Sequence, residues 1–500
     1  MHNTVKTLGK ETIIYSISNI IVRGCAYFAL LLQTNVLTPS AYSIVIEFYG
    51  SYIALGHVIY DLAMDMTYFR YVHILGKQYT FNIIVTILLV TSIILSTLLI
   101  IYTPQIARIT NHLAHIRYFY YMTGILMLDT LLMIPYARLR VAKKTLWLLL
   151  VKCLQAFASL FFSFLLLCCP LCLRCIEYLL DSYLNIKVSF NGLDAVFIAN
   201  LLSSLTALTL LLPNFKGFHL IWNNRTIQTI GGYAATSFLT TLFFRMNETL
   251  PLLLFRKLVP SNFYVTHTKE AILGNFGTSC KLTLCITLGI QAFKHAAEPF
   301  FFANSARREA LKLYSQTMHL FILASCCCLL LFSVNINWVA KILIPNADYR
   351  HTIDTVPYLA FAHILLGVYY NLSAAFKLSA HPRYNTWISA LGTLVIWCTA
   401  LLLIPTLGHW GCVYASMSGA VAMGLLGYYI GQKCYPIPYH KHGFLLLLAT
   451  FLALDKVSLW RAKLAFLGAG WAYIFLHIII LATFYILTIR WKKSIGLTKQ

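Results

Sequence analysis

The chain is poor in charge. Only 11% of its 500 residues are Asp, Glu, Lys or Arg, against about a quarter in a soluble globular domain. Acids are scarcest, with 15 Asp and Glu against 38 Lys and Arg. Long polar tracts are missing too. The widest interval between apolar runs is residues 169–192, too short for a catalytic domain outside a membrane. No Walker loop, GxGxxG, HExxH or GxSxG occurs. These absences exclude a soluble enzyme, a disordered chain and a disulfide-framed secreted domain. They leave no site for ATP as the energy source and no catalytic constellation.

What is present is apolar. Hydrophobic residues make up 59% of the chain, in runs near the 20 residues that a spanning helix needs. The runs predict an all-α polytopic membrane protein of about fourteen spans. These are 12–35, 41–65, 80–102, 116–137, 145–168, 193–213, 229–255, 271–302, 314–336, 355–376, 385–406, 409–431, 442–455 and 465–489. The first run is too long for the apolar core of a cleaved leader, and no small-residue cleavage site follows it, so it is expected to remain as a span.

The net charge of +23 does not read as a nucleic-acid surface, because the basic residues are scattered among apolar runs. Lys and Arg are more frequent in alternate loops, which sets both termini on the cytoplasmic side. A cationic cavity for an anionic substrate is the second expected use of the excess.

Leu37-Thr38-Pro39-Ser40 follows the first run, and Leu258-Val259-Pro260-Ser261 follows the seventh. Arg23 precedes the first proline by sixteen residues and Arg245 the second by fifteen. This weak repeat predicts two pseudo-symmetric six-helix bundles, 1–225 and 226–440, with two further helices and a basic tail in 441–500.

Ionisable residues within spans are functional candidates by default. The cations are Arg23, Lys152, Arg245, Lys281 and Lys294; the acids are Glu47, Asp61, Asp129, Glu248 and Glu298. Arg245 with Glu248 and Lys294 with Glu298 are spaced to share a helix face. Each pair reads either as a self-neutralising lock or as part of a water-filled cavity, where arginine's planar fork suits phosphate. Lys152 and Lys281 could equally snorkel. Asp61 and Asp65 are like charges at i,i+4, read as a solvated helix end or a proton holder. His219, His295 and His319 have no ligand-like company. Cys168, Cys169, Cys172 and Cys175 have CxxC spacing, but at the end of an apolar run free cysteine behaves as a small hydrophobe.

Several stretches resemble bacterial polysaccharide-biosynthesis flippases. They are Asn19–Phe28 (NIIVRGCAYF), Leu37–Tyr49 (LTPSAYSIVIEFY) and Ala63–Arg70 (AMDMTYFR). That superfamily includes O-antigen flippases, the lipid II flippase, and multidrug and toxin extrusion transporters. Gln291–Phe302 (QAFKHAAEPFFF), Gly367–Ser373 with Lys377-Leu378, and Gly431–Tyr439 (GQKCYPIPY) are similar to lipopolysaccharide-biosynthesis proteins of Bacteroidota. The chain departs from the family pattern at Pro251-Leu252, where an Asp-Arg pair is common. It also departs at Asn35, Leu31 and Ser43, in place of Arg, Pro and Gly.

The resemblance implies a V-shaped pair of bundles in a bacterial inner membrane, working by alternating access. The implied substrate is an undecaprenyl-pyrophosphate-linked oligosaccharide, carried from the cytoplasmic to the periplasmic leaflet. Proton or sodium is the implied coupling ion, and glycan polymerase or assembly proteins are implied partners; no cofactor is. Arg23, Arg245 and Lys294, with Lys281 and Lys152, are the expected substrate cations. Glu47, Asp129, Glu248, Glu298 and Asp61 are expected to couple or to balance charge. Lipid II flipping and small-molecule export on the same fold are the alternatives; export predicts an acid-dominated cavity. A membrane glycan polymerase would need a larger loop.

Overall fold

The computed structural model describes residues 21–494, apart from 170, 172–173, 176, 178–181, 183–188, 305–309, 379–382 and 468–469. The start of the expected first span, Cys172 and the end of the basic tail lie outside the described residues. Among those residues there is no strand.

Among the described residues, fourteen long helices follow in order. In the N-terminal half, α1 is Ile21–Val36, α2 the segmented stretch Pro39–Tyr71, α3 Lys77–Ile109 and α4 Ile116–Val141. Next come α5, Thr145–Cys168; α6, Gly192–Leu211; and α7, Asn224–Leu258. Helix α8 has two segments, Lys269–Leu282 and Leu284–Asn304, and α9 is Ala310–Leu343. The last five are α10, Val356–Leu378; α11, Arg383–Leu407; α12, His409–Cys434; α13, Lys441–Leu467; and α14, Gly470–Ser494. Each expected span coincides with one helix.

Eleven of these stretches are long and apolar enough to cross a membrane; α1 and α14 hold shorter apolar runs. Helix α7 has the length, 35 residues, but is too polar to qualify. The protein is a multi-pass membrane protein.

Hydrocarbon offers a backbone no hydrogen-bond partners, so each span must pair its own N–H and C=O groups. Hydroxyls inside the spans follow the same rule and bond back one turn. Thr86 donates to the Asn82 carbonyl at 2.7 Å, Thr103 to Leu99 at 2.7 Å and Thr123 to Phe119 at 2.8 Å. Side chains cap three of the helix starts, those of α2, α6 and α7. Asn191 and Asp194 form a reciprocal capping box on α6. Thr38 caps α2, with Pro39 in the first turn. The matching Pro260 starts no helix; it lies in a turn closed by the Phe263 N–H on its carbonyl, and α8 begins only at Lys269. The sequence match therefore holds for the ends of α1 and α7 and stops there.

The chain divides into two compact units, Met1–Gly274 and Asn275–Gln500. Helix α7 packs on the middle and last segments of α2. The first unit has an aromatic core around Phe48, Phe119, Tyr118 and Phe197, with ring centroids 4.9–6.0 Å apart. In the second unit, α11 and α12 approach closely because Gly392 meets the Met423 side chain and Gly419 meets Ile396. Helices α13 and α14 group with this unit through polar contacts. Tyr358 of α10 donates to Asp455 of α13, and Asn335 of α9 meets His477 of α14 at 2.6 Å.

A Cβ added at Gly274 would lie 2.1 Å from the Pro39 carbonyl oxygen. Backbone cannot swing aside as a side chain can. Gly274→Ala is expected to destabilise the first unit by about 1–3 kcal/mol or more. Thermal unfolding of the detergent-solubilised full chain measures it; an unchanged midpoint would refute the close contact.

Candidate functional site

Helix α2 organises the polar groups of the first unit. It runs as α-helix over Pro39–Glu47, as a π-helical turn over Phe48–Tyr52 and as α-helix again over Ile53–Asp61. Leu62 and Ala63 then take left-handed φ values of 49° and 53°, and Met64–Tyr71 resumes the helix. Two successive left-handed non-glycine residues cost roughly 1–2 kcal/mol each. Such strain persists where the surroundings fix it, and it gathers at working sites. The break overturns one expectation: Asp61 ends one helical segment and Asp65 opens the next, so they are not an i,i+4 pair on one helix. Ala63→Gly is expected to stabilise the protein by about 0.5–1 kcal/mol, whereas glycine inside a helix costs about 1 kcal/mol. A lower unfolding temperature for Ala63→Gly would contradict the strain.

At the end of the first segment of α2, Glu47 is 2% exposed and gripped from two sides. Arg256 donates from Nε to both carboxylate oxygens at 2.8 Å, and its Nη2 lies 2.7 Å from Oε2. His112 Nε2 is 3.5 Å from the same oxygen. Arg256 also reaches Ser43 at 3.3 Å and Glu270 at 3.6 Å. This clasp ties α2, the α3–α4 connection and the end of α7 to the first turn of α8. The sequence had placed Arg256 in a loop, because the apolar run ends at 255; the helix continues to Leu258 and turns Arg256 inward.

Further along α2, His57 Nε2 lies 3.5 Å from Asp129 Oδ2 on α4. Ser204 of α6 donates to Asp129 Oδ1 at 2.6 Å. One residue on, Thr130 donates to Asp61 at 3.4 Å. His57 is one helical turn before Asp61, a spacing visible in the sequence, but a neutral-counted histidine drew no attention. Ser204 carried no signal at all.

Helix α7 supplies the third feature. Arg245 Nη1 donates to Glu248 Oε2 at 2.8 Å, and the two side chains are 44% and 34% exposed. Thr236 is exposed and Thr240 half-buried on the same helix. Gly231 and Gly232 face open space. The expected face-sharing of Arg245 and Glu248 is thus an ion pair, and it is not packed away.

The other candidates are dispersed. Arg23 is half-buried on α1. Lys152 on α5 sits 5.7 Å from the centre of the Tyr136 ring, whose hydroxyl donates to Gln155 at 2.9 Å. Lys281 is half-buried at the end of the first α8 segment. Lys294 lies 4.4 Å over Tyr370, a cation–π contact. Glu298 is on α8, and its side chain lies outside the described residues. Arg23, Lys152, Arg245 and the acids Glu47, Asp61, Asp129 and Glu248 belong to the first unit; Lys281, Lys294 and Glu298 belong to the second. Cys168, Cys169 and Cys175 are free thiols, and among the described residues no group of three or more His, Cys, Asp or Glu could hold a metal.

No family model and no curated protein matches the sequence. Solved structures do match in fold. The lipid II flippase MurJ, in an inward closed conformation, is 12% identical with a TM-score of 0.70, covering 96% of this chain and 99% of that one. An inward-facing multidrug resistance MATE family transporter of the MOP superfamily is 14% identical, with a TM-score of 0.61 over 82% and 93%. The Vibrio cholerae MATE transporter VcmN, as its D35N mutant, is 12% identical, with a TM-score of 0.57 over 86% and 96%. The chain has the fold of the MOP-superfamily transporters. At these identities the likeness concerns fold.

Proposed function

We propose that the chain is a flippase that carries a polyprenyl-pyrophosphate-linked oligosaccharide from the cytoplasmic to the periplasmic leaflet of a bacterial inner membrane. The observation that carries the reading is Arg245, a guanidinium 44% exposed in the middle of α7. A charge at that depth cannot face lipid without a penalty of several kcal/mol, so the exposed polar face of α7 meets water. A water-filled, arginine-bearing surface in a chain with few acids suits an anionic head. Arg23 and Arg245 are assigned to the pyrophosphate, and Lys294 is a further candidate cation. Lys152 and Lys281 are secondary candidates. The division into two six-helix bundles plus α13 and α14, and termini facing the cytoplasm, belong to the same proposal.

The MOP-superfamily fold supports a flippase or an exporter. Lipid II is the second reading, favoured by the full-length likeness to MurJ. The discriminating experiment is mass spectrometry of lipid extracts from cells depleted of the protein. Accumulation of one polyprenyl-pyrophosphate glycan supports the flippase and identifies its sugar, with lipid II pointing to the second reading. An unchanged precursor pool, after confirmed depletion in a strain without another flippase, refutes both.

A further inference from the structure

At one end of the first unit, three turns form a surface of a single charge sign. They are 66–78, from α2 into α3; 136–147, from α4 into α5; and 212–229, from α6 into α7. Side chains hold them together. Gln78 donates to the Gly217 carbonyl at 2.7 Å and accepts from Arg138 Nη2 at 2.9 Å. Arg138 Nη1 donates to the Asn214 carbonyl at 2.8 Å. The Arg70 guanidinium lies 4.2 Å over the Tyr233 ring, and Tyr71 donates to the Thr229 carbonyl at 3.1 Å. The first turn supplies Arg70 and Lys77, the second Arg140, Lys143 and Lys144, and the third Lys216 and Arg225. All of these are exposed, and none of the three stretches contains Asp or Glu.

The connection from α6 to α7 gives that surface depth. Between Phe215 and Asn224 it has no helix. It meets α3 at Gln78 through Gly217, and again at Thr86, whose hydroxyl accepts from the Ile221 N–H at 3.2 Å. It then returns to Tyr79, which meets Thr226 at 3.3 Å. Gln78 and Thr86 are about 12 Å apart along the helix, so the chain dips beside α3 and comes back. Non-helical backbone at membrane depth needs partners from the protein, and Thr86 supplies one. Within the dip Leu220 is 72% exposed and Trp222 59%. Ile74 and Leu146 protrude from the other two turns.

We propose that this end of the first unit binds an anionic phospholipid, with its phosphate against the turn cations and an acyl chain against Leu220 and Trp222. The inference is separate from the transport reading and needs no choice of membrane side.

Two features select that partner. Setting topology takes only cations in a loop; it does not take leucine and tryptophan exposed within a dip beside them. A nucleic acid or an acidic protein would match the charge and leave those side chains in water. A phospholipid matches both, with charge at the headgroup plane and hydrocarbon below it. Tryptophan favours that boundary. Each Lys or Arg near an anionic lipid surface contributes about fivefold in affinity.

The test places the full chain in phosphatidylcholine liposomes that contain a brominated lipid. Bromine on an acyl chain quenches tryptophan on contact, and the part of the quenching lost in Trp222→Phe belongs to Trp222. Brominated phosphatidylglycerol is expected to half-quench Trp222 at about one-fifth, or less, of the mole fraction that brominated phosphatidylcholine needs. The preference should fall in the Lys77→Gln, Lys216→Gln, Arg225→Gln triple variant. It should also fall in about 1 M salt, which screens charge beyond about 3 Å. Should Trp222→Phe not fold, native mass spectrometry gives the second reading: wild type retains phosphatidylglycerol that the triple variant loses. Equal half-quenching by the two lipids, or equal lipid retention by wild type and triple variant, overturns the proposal and leaves the surface to topology or to an acidic macromolecule. Displacement of phosphatidylglycerol by equimolar polyprenyl pyrophosphate also overturns it, because the surface would then belong to the substrate. A preference for phosphatidylglycerol in a protein whose depletion leaves lipid precursors unchanged supports the lipid surface and counts against the transport reading alone.

Discussion

Arg256→Ala is expected to destabilise the first unit by about 3–5 kcal/mol, the usual effect of leaving a buried charge without its partner. Glu47 is 2% exposed and Arg256 12%, so water cannot replace the three short contacts that the guanidinium makes. His112 is too distant, at 3.5 Å, to take over a bidentate role. The ion pair itself is a weak source of net stability, because desolvating both charges offsets most of their attraction. A double replacement, Glu47→Gln with Arg256→Met, is therefore expected to recover most of the loss. Thermal unfolding in detergent, with Glu47→Gln and Arg256→Met as single controls, completes the cycle. Additive single effects, with no recovery in the double variant, would contradict the clasp. Because Arg256 also reaches Ser43 and Glu270, the same variant is expected to loosen the start of α8.

The second large effect concerns Arg23 and Arg245. Each Ala substitution is expected to lower transport about 10- to 100-fold, from a charged hydrogen bond worth about 1.5–3 kcal/mol. The double variant should fall to background. Protein level in the membrane should not change, since Arg245 is exposed and its removal leaves Glu248 in reach of water. In cells the expected readout is the same precursor build-up that depletion gives. Wild-type precursor levels in both single variants would refute the assignment.

Much of the fold was legible because hydrocarbon imposes one solution on an apolar run. All fourteen expected spans coincide with helices, and most ends agree within a few residues. The errors have physical causes. Polar residues in a helix's last turn, such as Arg256, look like loop to a hydropathy reading, although tertiary contacts keep the helix going. The break at Leu62–Ala63 carries no glycine, proline or asparagine, and packing imposes it against local preference; the π turn at Phe48–Tyr52 contains Gly50 but no proline or asparagine. The Pro39 and Pro260 match is a shared string with different local structure.

The candidate site was half legible. Arg245 and Glu248 were found by spacing because both lie on one helix. Asp129 was found as an acid at depth, but its partners His57 and Ser204 come from other helices. No spacing rule connects residues 57, 129 and 204. Glu47 was found for the same reason as Asp129; His112 was missed for the same reason as His57, and Arg256 because it lies past the end of its apolar run. The one sequence signal for His57 is its place one helical turn before Asp61.

The most direct test of the central claim uses purified full-length protein in liposomes containing a labelled polyprenyl-pyrophosphate oligosaccharide. Accessibility of the labelled head to a membrane-impermeant reagent reports its transfer between leaflets. Transfer that requires the protein, and that is lost in the Arg23→Ala, Arg245→Ala double variant, is the expected result. Transfer at the protein-free rate, or an undiminished rate in the double variant, would contradict the proposed flippase and its arginine site.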